Sequence, residues 1–379
     1  MSNKKIALFQ NIAPHYREAL WKKLSKLQSF QFYFYFDSNS LSSIKSMPYE
    51  DLNWKHVNNI IIKNTILIWQ KGVILNCINQ KYKVAIFLGE MYCISTWIAA
   101  LICRIRGIKV VFWGHGIYGN ENKIKLLFRI IFYKLADQHL LYGKRAKEIM
   151  QNHGFDKNTL YLIYNSLDYF NLRKLRERYK HLGKYEVFPF FKYPEKPILF
   201  FSGRLTNSKK IDLLIKAAND INKNEIKVNL LIIGDGSSKN YLEEIGKKGL
   251  YKKWLHFYGA CYNEKEVGKF LTLSDICISP GNVGLTAIHS LSYGTPVCTH
   301  NDFKNQGPEA ESIKNGVNGF FFENNNLEDL KAKIIGWLSN SIDRNNLRNQ
   351  CVQIIEEKYN PDNQLKVFNR LLNDEPPIE

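Results

Sequence analysis

The residues of this chain whose types point most plainly to chemistry are an arginine and a lysine five positions apart, directly after a strand-like run, in FFSGRLTNSKKIDLL. Arg204 offers a planar fork of donors and Lys209 a mobile point charge, a combination suited to a pyrophosphate; Lys210 stands beside Lys209 and competes for its role. The alternative is two solvated cations in a turn. A second stretch, SPGNVGLTAIHSLSYGTPV (279–297), sets Gly281 and Gly284 around Asn282 and Val283, then runs through Leu285 into a short helical pattern that stops at Gly294-Thr295-Pro296. Such a turn leaves backbone N–H groups that favour an anion, and glycines let the backbone approach closely. An ordinary strand-to-helix turn needs no ligand. His115, in WGHGIYG, lies at a strand end between glycines, and Glu90, in FLGEMY, at another. In QNIAPHYREAL, His15, Tyr16 and Arg17 follow the first strand: Tyr16 suits stacking on a sugar and Arg17 suits a phosphate, or the group forms the cap and first turn of a helix.

The elements that must position these residues alternate. KIALFQ, FQFYFYF, VAIFLG, KVVFWG, QHLLYG and TLYLIYN are short apolar runs stopped by glycine, asparagine or a charge, with helical patterns such as Ser95 to Arg106 and Lys123 to Leu135 between them. After a basic, proline-bearing stretch the rhythm restarts with PILFFSG, NLLIIGD, LHFYG, ICISP and PVCTH. Apolar strands alternating with helices imply parallel sheets covered on both faces. The expected architecture is α/β: two Rossmann-like doubly wound domains facing across a crevice, with ligands at the carboxyl ends of the strands. The first covers 1–170, a linker 171–197 and the second 198–355; residues 356–379 form a C-terminal helix expected to pack back toward the first domain.

Composition bounds the function. At 379 residues, 45% hydrophobic and 13% aromatic, the chain has apolar material for two cores. It opens on charged MSNKKIALFQ without an apolar signal segment, its apolar runs are too short to span a bilayer, and its seven cysteines form no Cys-x-x-Cys pair. A cytoplasmic location follows as the expectation. Fifty-three Lys and Arg against 35 Asp and Glu give +18. Nucleic acid, an anionic membrane and phosphate-bearing small molecules compete to explain that balance. No RNA-binding sheet motif, zinc finger or basic zipper is present, so no nucleic-acid partner is expected. The basic residues gather in 123–136, 143–148 and 172–184, either as solvated lysines on core helices or as a surface resting on anionic lipid, peripheral on the inner face of the cell membrane.

FFSGRLTNSKKIDLLIKAA, LLIIGDG, SPGNVGLTAIHSLSYGTPV and ESIKNGVNGFFF, in that order, resemble the C-terminal domain of family 4 retaining glycosyltransferases (glycosyl transferases group 1) of the GT-B fold. VVFWGHG and YLIYNSLD agree more loosely with the N-terminal half. The resemblance implies transfer of a sugar from a UDP- or GDP-sugar to a hydroxyl of a glycan or polyprenyl-diphosphate-linked acceptor in surface polysaccharide or lipopolysaccharide assembly. It implies catalytic roles for His115, Arg204 and Lys209, and donor contacts from Gly281, Asn282, Val283, Gly284, Leu285, His289, Gly234 and Tyr16. His15, Arg17 and Glu90 fall on the acceptor side. No metal and no cofactor beyond the nucleotide-sugar substrate is expected, since no Asp-x-Asp stretch occurs. The family's two glutamates, eight residues apart, are replaced here by Gly281 and His289. His289 is either a ribose contact or a structural residue, and Glu309 or Glu311 is a candidate for the missing carboxylate. The departure keeps open a non-catalytic sugar-nucleotide- or membrane-binding subunit, or another GT-B-type enzyme such as a nucleotide-sugar epimerase or a phosphorylase.

Overall fold

The computed structural model describes residues 4–39, 45–63, 65–340 and 343–378. They divide into two compact units, one of residues 1–168 with 360–379 and one of residues 169–359.

The first unit is built on seven parallel strands: β1 (Lys4–Phe9), β2 (Phe30–Phe36), β3 (Trp54–His56), β6 (Val84–Leu88), β7 (Lys109–Gly114), β8 (Gln138–Leu141) and β9 (Leu160–Leu162). A separate antiparallel hairpin, β4 (Asn58–Ile61) with β5 (Ile68–Lys71), stands beside the sheet and carries no signal that the sequence reading had used. The order β3-β2-β1-β6-β7-β8-β9 makes the chain reverse direction between β1 and β6. Both faces of the central strands are covered, which is why VAIFL and KVVFWG are near-continuous apolar runs. Ile6 and Leu8 face a core closed by helices Glu18–Leu24 and Pro361–Leu372, the latter through Val367, Phe368, Leu371 and Leu372. Ala7 and Phe9 face the opposite core, under helices Val73–Asn79, Ile94–Ile105 and Lys123–Tyr133.

The second unit has six parallel strands, β10 (Ile198–Ser202), β11 (Asn229–Ile233), β12 (Leu255–Gly259), β13 (Ile276–Ser279), β14 (Val297–His300) and β15 (Gly319–Phe322), in the order β12-β11-β10-β13-β14-β15. The reversal falls between β10 and β13, the strands that precede Arg204 and Gly281. Both units are therefore doubly wound sheets of Rossmann type, as the alternation of strands and helices predicts.

Residues 171–197, expected as a linker, carry structure of their own within the second unit. The basic run forms helix Tyr169–Tyr179, with Leu172, Arg176 and Tyr179 buried, and Arg176 donates to the Ser292 carbonyl at 2.8 Å. Phe188 and Phe190 then stack on Phe270 and His256, and Lys184 pairs with Asp275 at 2.6 Å. Long cationic side chains with apolar stems, followed by a phenylalanine cluster, supply the buried area that a free linker lacks. All seven cysteines are free thiols.

Candidate functional site

Each unit gathers chemically capable side chains where its strand order reverses. In the first unit, the carboxyl ends of β1, β6 and β7 surround a cavity of about 230 Å³ lined by Tyr16, Arg17, Glu90, His115, Tyr118 and Tyr142, among others. Four of the residues expected at the site therefore come together. His15 does not line it: the ring turns outward and its Nδ1 lies 3.1 Å from the Lys45 carbonyl.

After β1 the chain makes one 3-10 turn, His15–Arg17, before the helix begins at Glu18, so these three residues precede the helix rather than forming its first turn. The turn directs Arg17 inward. Its Nη1 donates to Gln10 Oε1 at 2.6 Å, its Nη2 donates to the Tyr142 hydroxyl, and its guanidinium lies 4.1 Å over the Trp113 ring. Arg17 is 8% exposed and makes no ion pair, and its buried Nε has no hydrogen-bond partner. The guanidinium is thus held at the cavity wall by neutral partners and an aromatic face.

His115 follows β7 and is exposed, stacked on Tyr118 with centroids 5.6 Å apart and edge-on to Tyr142 at 4.9 Å. Crowding by the cavity wall, with the Arg17 and Arg129 guanidiniums adding to it, drives its imidazole down to about 4. It is neutral at pH 7, a hydrogen-bonding group rather than a charge. The loop that carries it is fixed from below. Glu121 accepts from the Tyr118 and Gly119 N–H groups at 2.9 and 2.8 Å and pairs with buried Arg129 at 3.0 Å. Burial alone would raise the Glu121 carboxyl, but those donors and Arg129 hold it below its ordinary range. Arg129 is thus a buried anchor. Tyr133 completes the support, bonding Gly89 and Gly116 at 2.8 and 3.0 Å. Nothing in the spacing of Glu121, Arg129, Tyr118 and Tyr142 marks them; only the fold brings Tyr118 and Tyr142 to the cavity and pairs Glu121 with Arg129 behind its loop.

In the second unit, Arg204 follows β10 and is exposed, and its guanidinium makes no hydrogen bond or ion pair with the described residues. Lys209 is half-buried and donates to the Asn282 carbonyl at 2.8 Å and to Asn282 Oδ1 at 2.9 Å. Burial and then repulsion from Arg204 push its ammonium below its ordinary value, opposed by Glu309. Two cations that raise each other's energy favour an anion beside them. Lys210 is committed elsewhere, to Asn324 Oδ1 at 2.7 Å, which resolves its competition with Lys209.

The glycines of the 281–284 turn answer first to packing. A Cβ on Gly281 would lie 2.2 Å from the Ser208 carbonyl oxygen and 2.7 Å from Lys209 Cα, so no side chain fits, and the family's glutamate cannot occupy this position beside this loop. Gly234 is equally constrained, since a Cβ there would fall 1.9 Å from the Gly203 oxygen. The N–H of Val283 is already taken by Gln306 Oε1 at 2.8 Å, and the helix after Gly284 and Leu285 spans only Thr286–Ser292. Anion binding at the turn therefore rests on Arg204 and Lys209 more than on the helix. Glu309 is buried in the loop that packs on Val283 and Gly284, and its Oε2 lies 2.9 Å from where a Gly307 Cβ would be. Glu311 lies in the same short helix, Pro308–Ser312.

His289 has a protein partner that the sequence did not disclose. Its Nε2 is 2.8 Å from Glu264 Oε1, which also accepts from the Tyr293 hydroxyl at 2.7 Å. Glu264 opens the helix Glu264–Leu273, capped by Asn263. A carboxylate thus stands next to the position where the family has one, but it comes from another helix; the Asn-Glu-Lys-Glu capping pattern was its only trace. Among the described residues no cluster of His, Cys, Asp and Glu could hold a metal ion, and no helix is long and apolar enough to cross a membrane.

Two doubly wound parallel sheets in one chain are the architecture of the GT-B fold. Residues 186–358 match the model of glycosyl transferases group 1, so the resemblance to that family read from the motifs holds. The chain is 26% identical over 258 residues to an uncharacterised glycosyltransferase of Methanocaldococcus jannaschii, covering 66% of this chain and 62% of the relative. It is 25% identical over 170 residues to the poly(ribitol-phosphate) alpha-N-acetylglucosaminyltransferase of Staphylococcus aureus, covering 45% of this chain and 34% of that enzyme. The chain thus spans less than two-thirds of the length of these curated relatives. In fold it is similar to Anabaena HepE, solved with UDP (TM-score 0.70, 13% identity, 98% of this chain and 100% of that one). It is also similar to a glycosyltransferase from Rickettsia africae (TM-score 0.70, 17% identity, 99% of each chain).

Proposed function

We propose that the protein is a retaining, family 4-type glycosyltransferase that moves a hexose from a UDP- or GDP-sugar to a hydroxyl of a glycan on a lipid diphosphate carrier, in surface polysaccharide or lipopolysaccharide assembly at the cytoplasmic face of a membrane. The observation that carries the reading is the pair Arg204 and Lys209 at the strand reversal of the second unit, two mutually repelling cations of which Arg204 has no protein partner among the described residues.

In the reaction, the bond between the anomeric carbon and the diphosphate breaks, and negative charge grows on the departing nucleoside diphosphate. Arg204 and Lys209 stabilise that charge in place, doing the electrostatic work a metal would otherwise do, so no metal is required. Asn282 holds the Lys209 ammonium and so fixes where the charge sits. His289, with its Nε2 engaged by Glu264, is left with Nδ1 to meet a ribose hydroxyl. Neutral His115 bonds the acceptor hydroxyl, Arg17 and Glu90 line the cavity that receives the acceptor, and Tyr16, in the same wall, is left to the donor sugar.

A second reading, a subunit that binds a sugar nucleotide without turning it over, is favoured by Gly281, where no carboxylate can stand. Release of nucleoside diphosphate from a panel of nucleotide-sugars by the purified protein separates the two. Slow donor hydrolysis lost in Arg204→Ala supports transfer; binding without any hydrolysis supports the subunit.

A further inference from the structure

The helix Lys123–Tyr133 shows to solvent the side that an amphipathic helix normally hides. Ile124, Leu127, Phe128 and Ile131 are 46–72% exposed, and at 3.6 residues per turn they share an arc of about 100°. The opposite side is buried, through Arg129, Phe132 and Tyr133. The stripe is not isolated. Trp97 of helix Ile94–Ile105 packs on Phe132 with centroids 5.0 Å apart, and that helix exposes Ile98, Leu101 and Ile105, the last at 86%. Arg106, at its end, donates to the Gln80 carbonyl at 2.9 Å and to that of Cys77, joining helix Val73–Asn79, which exposes Leu75 and Ile78. Single exposed apolar residues are ordinary, but nine on three adjacent helices form a face.

The charges around this face have one sign. VILNCIN, ISTWIAALICRI and KIKLLFRIIFY contain no aspartate or glutamate. Lys71, Lys81, Arg104, Arg106, Lys123 and Lys134 flank them and are exposed. The nearest acids are occupied: Asp137 pairs with Arg104 at 3.1 Å, and Glu121 with Arg129. A second copy meeting this face about a two-fold axis would set lysines against lysines. Apolar side chains amid a cationic surround match a bilayer with anionic headgroups, where chains enter the acyl boundary and each nearby cation adds attraction.

We infer that the outer face of helices 73–79, 94–105 and 123–133 docks on an anionic phospholipid surface, with Ile124, Leu127, Phe128 and Ile131 inserted among the lipid chains. This deepens the proposed function by locating the membrane contact, and it rests on that reading only for the acceptor. The helix that meets the lipid on one side holds the His115 loop through Arg129 and Glu121 on the other, so a lipid-borne hydroxyl would arrive at the cavity wall that the same helix supports. The basic run 172–184 lies in the second unit.

The test is co-sedimentation of the full chain with vesicles of phosphatidylglycerol and phosphatidylcholine, and with phosphatidylcholine alone. Binding to the mixed vesicles should exceed binding to the neutral ones by about tenfold or more and weaken with salt. Leu127→Glu and Phe128→Glu should each lower it at least about tenfold. Ile335→Glu, at an exposed position of the second unit, should not. The proposal is overturned if the wild type ignores both vesicles, if the glutamate variants bind as it does, or if the wild type is a dimer in solution that Phe128→Glu splits. The thermal response to UDP or GDP reports the second unit independently, so its absence would count against the transferase reading and leave the vesicle result standing.

Discussion

Gly281→Glu restores the carboxylate that the family pattern calls for, and it is expected to damage the protein. A Cβ at 281 would lie 2.2 Å from the Ser208 carbonyl oxygen, while real contacts of this kind start near 3.0 Å, so backbone must separate by at least 0.8 Å (3.0 minus 2.2). The atoms in the way are main-chain atoms of 208 and 209, not the far end of a flexible side chain, and Gly281 N also donates to the Lys209 carbonyl at 3.0 Å. Forced overpacking of this kind costs about 1–3 kcal/mol. In a unit of this size that corresponds to a fall in Tm of roughly 2–12 °C. Gly281→Ala meets the same Cβ clash and should share most of the loss, which separates packing from charge. Because the displaced segment carries Lys209, the stabilisation by a nucleoside diphosphate should shrink as well. Differential scanning fluorimetry of wild type and both variants, with and without UDP or GDP, measures both effects. A Gly281→Ala protein that melts within about 1 °C of wild type and keeps its nucleotide response would refute the packing account of this turn.

Other predictions follow from single residues. Arg17→Met removes a charged hydrogen-bonding group from the cavity wall and is expected to lower sugar transfer by about tenfold or more, at about 1.5–3 kcal/mol for such bonds, while the nucleotide response of the second unit is unchanged; a parallel loss of both would contradict an acceptor-side role. Glu264→Gln loosens His289 and Tyr293 and should weaken nucleoside diphosphate binding severalfold by calorimetry, whereas unchanged affinity would leave the trio as a tie between two helices. His139 is 1% exposed with an unpartnered Nδ1, and burial drives its imidazole down to about 3 from 6.5. The unfolded chain then takes up a proton below pH 6.5 that the native state refuses. The stability tied to this group is complete above 6.5 and falls as pH drops toward 3, by up to about 5 kcal/mol ((6.5 − 3) × about 1.4). His139→Phe should flatten that limb of a urea-denaturation series, and a limb as steep as that of wild type would rule the histidine out.

How much was legible follows from which forces are local. Buried parallel strands must be apolar on both faces, so PILFFSG, NLLIIGD and KVVFWG announced themselves, and with them the two doubly wound sheets and the residues at their carboxyl ends. Arg204 and His115 stood out because each lies within two residues of such a strand's end, and Lys209 because it lies five residues beyond Arg204. The helix Tyr169–Tyr179 was hidden because its buried residues, Tyr169, Leu172, Arg176 and Tyr179, are scattered through a basic run that reads as solvated charge. Glu264 escaped because it stands 25 positions before His289 in the chain, and Arg129 because its partner Glu121 lies in a loop without periodicity. The glycine at 281 was visible, but its reason was not: the constraint is the main chain of 208 and 209, which only the fold brings there.

The central claim is that Arg204 and Lys209 form the seat of a nucleoside diphosphate leaving group. Its most direct test is a thermal-shift titration of the purified protein with UDP, GDP and ADP and their common sugar conjugates, alongside Arg204→Ala. Ligand at a hundred times its dissociation constant should stabilise the wild type by about 2.7 kcal/mol. The account predicts that one nucleoside diphosphate does so and that Arg204→Ala loses most of the response. A response equally strong in Arg204→Ala, or none to any nucleotide, would contradict it.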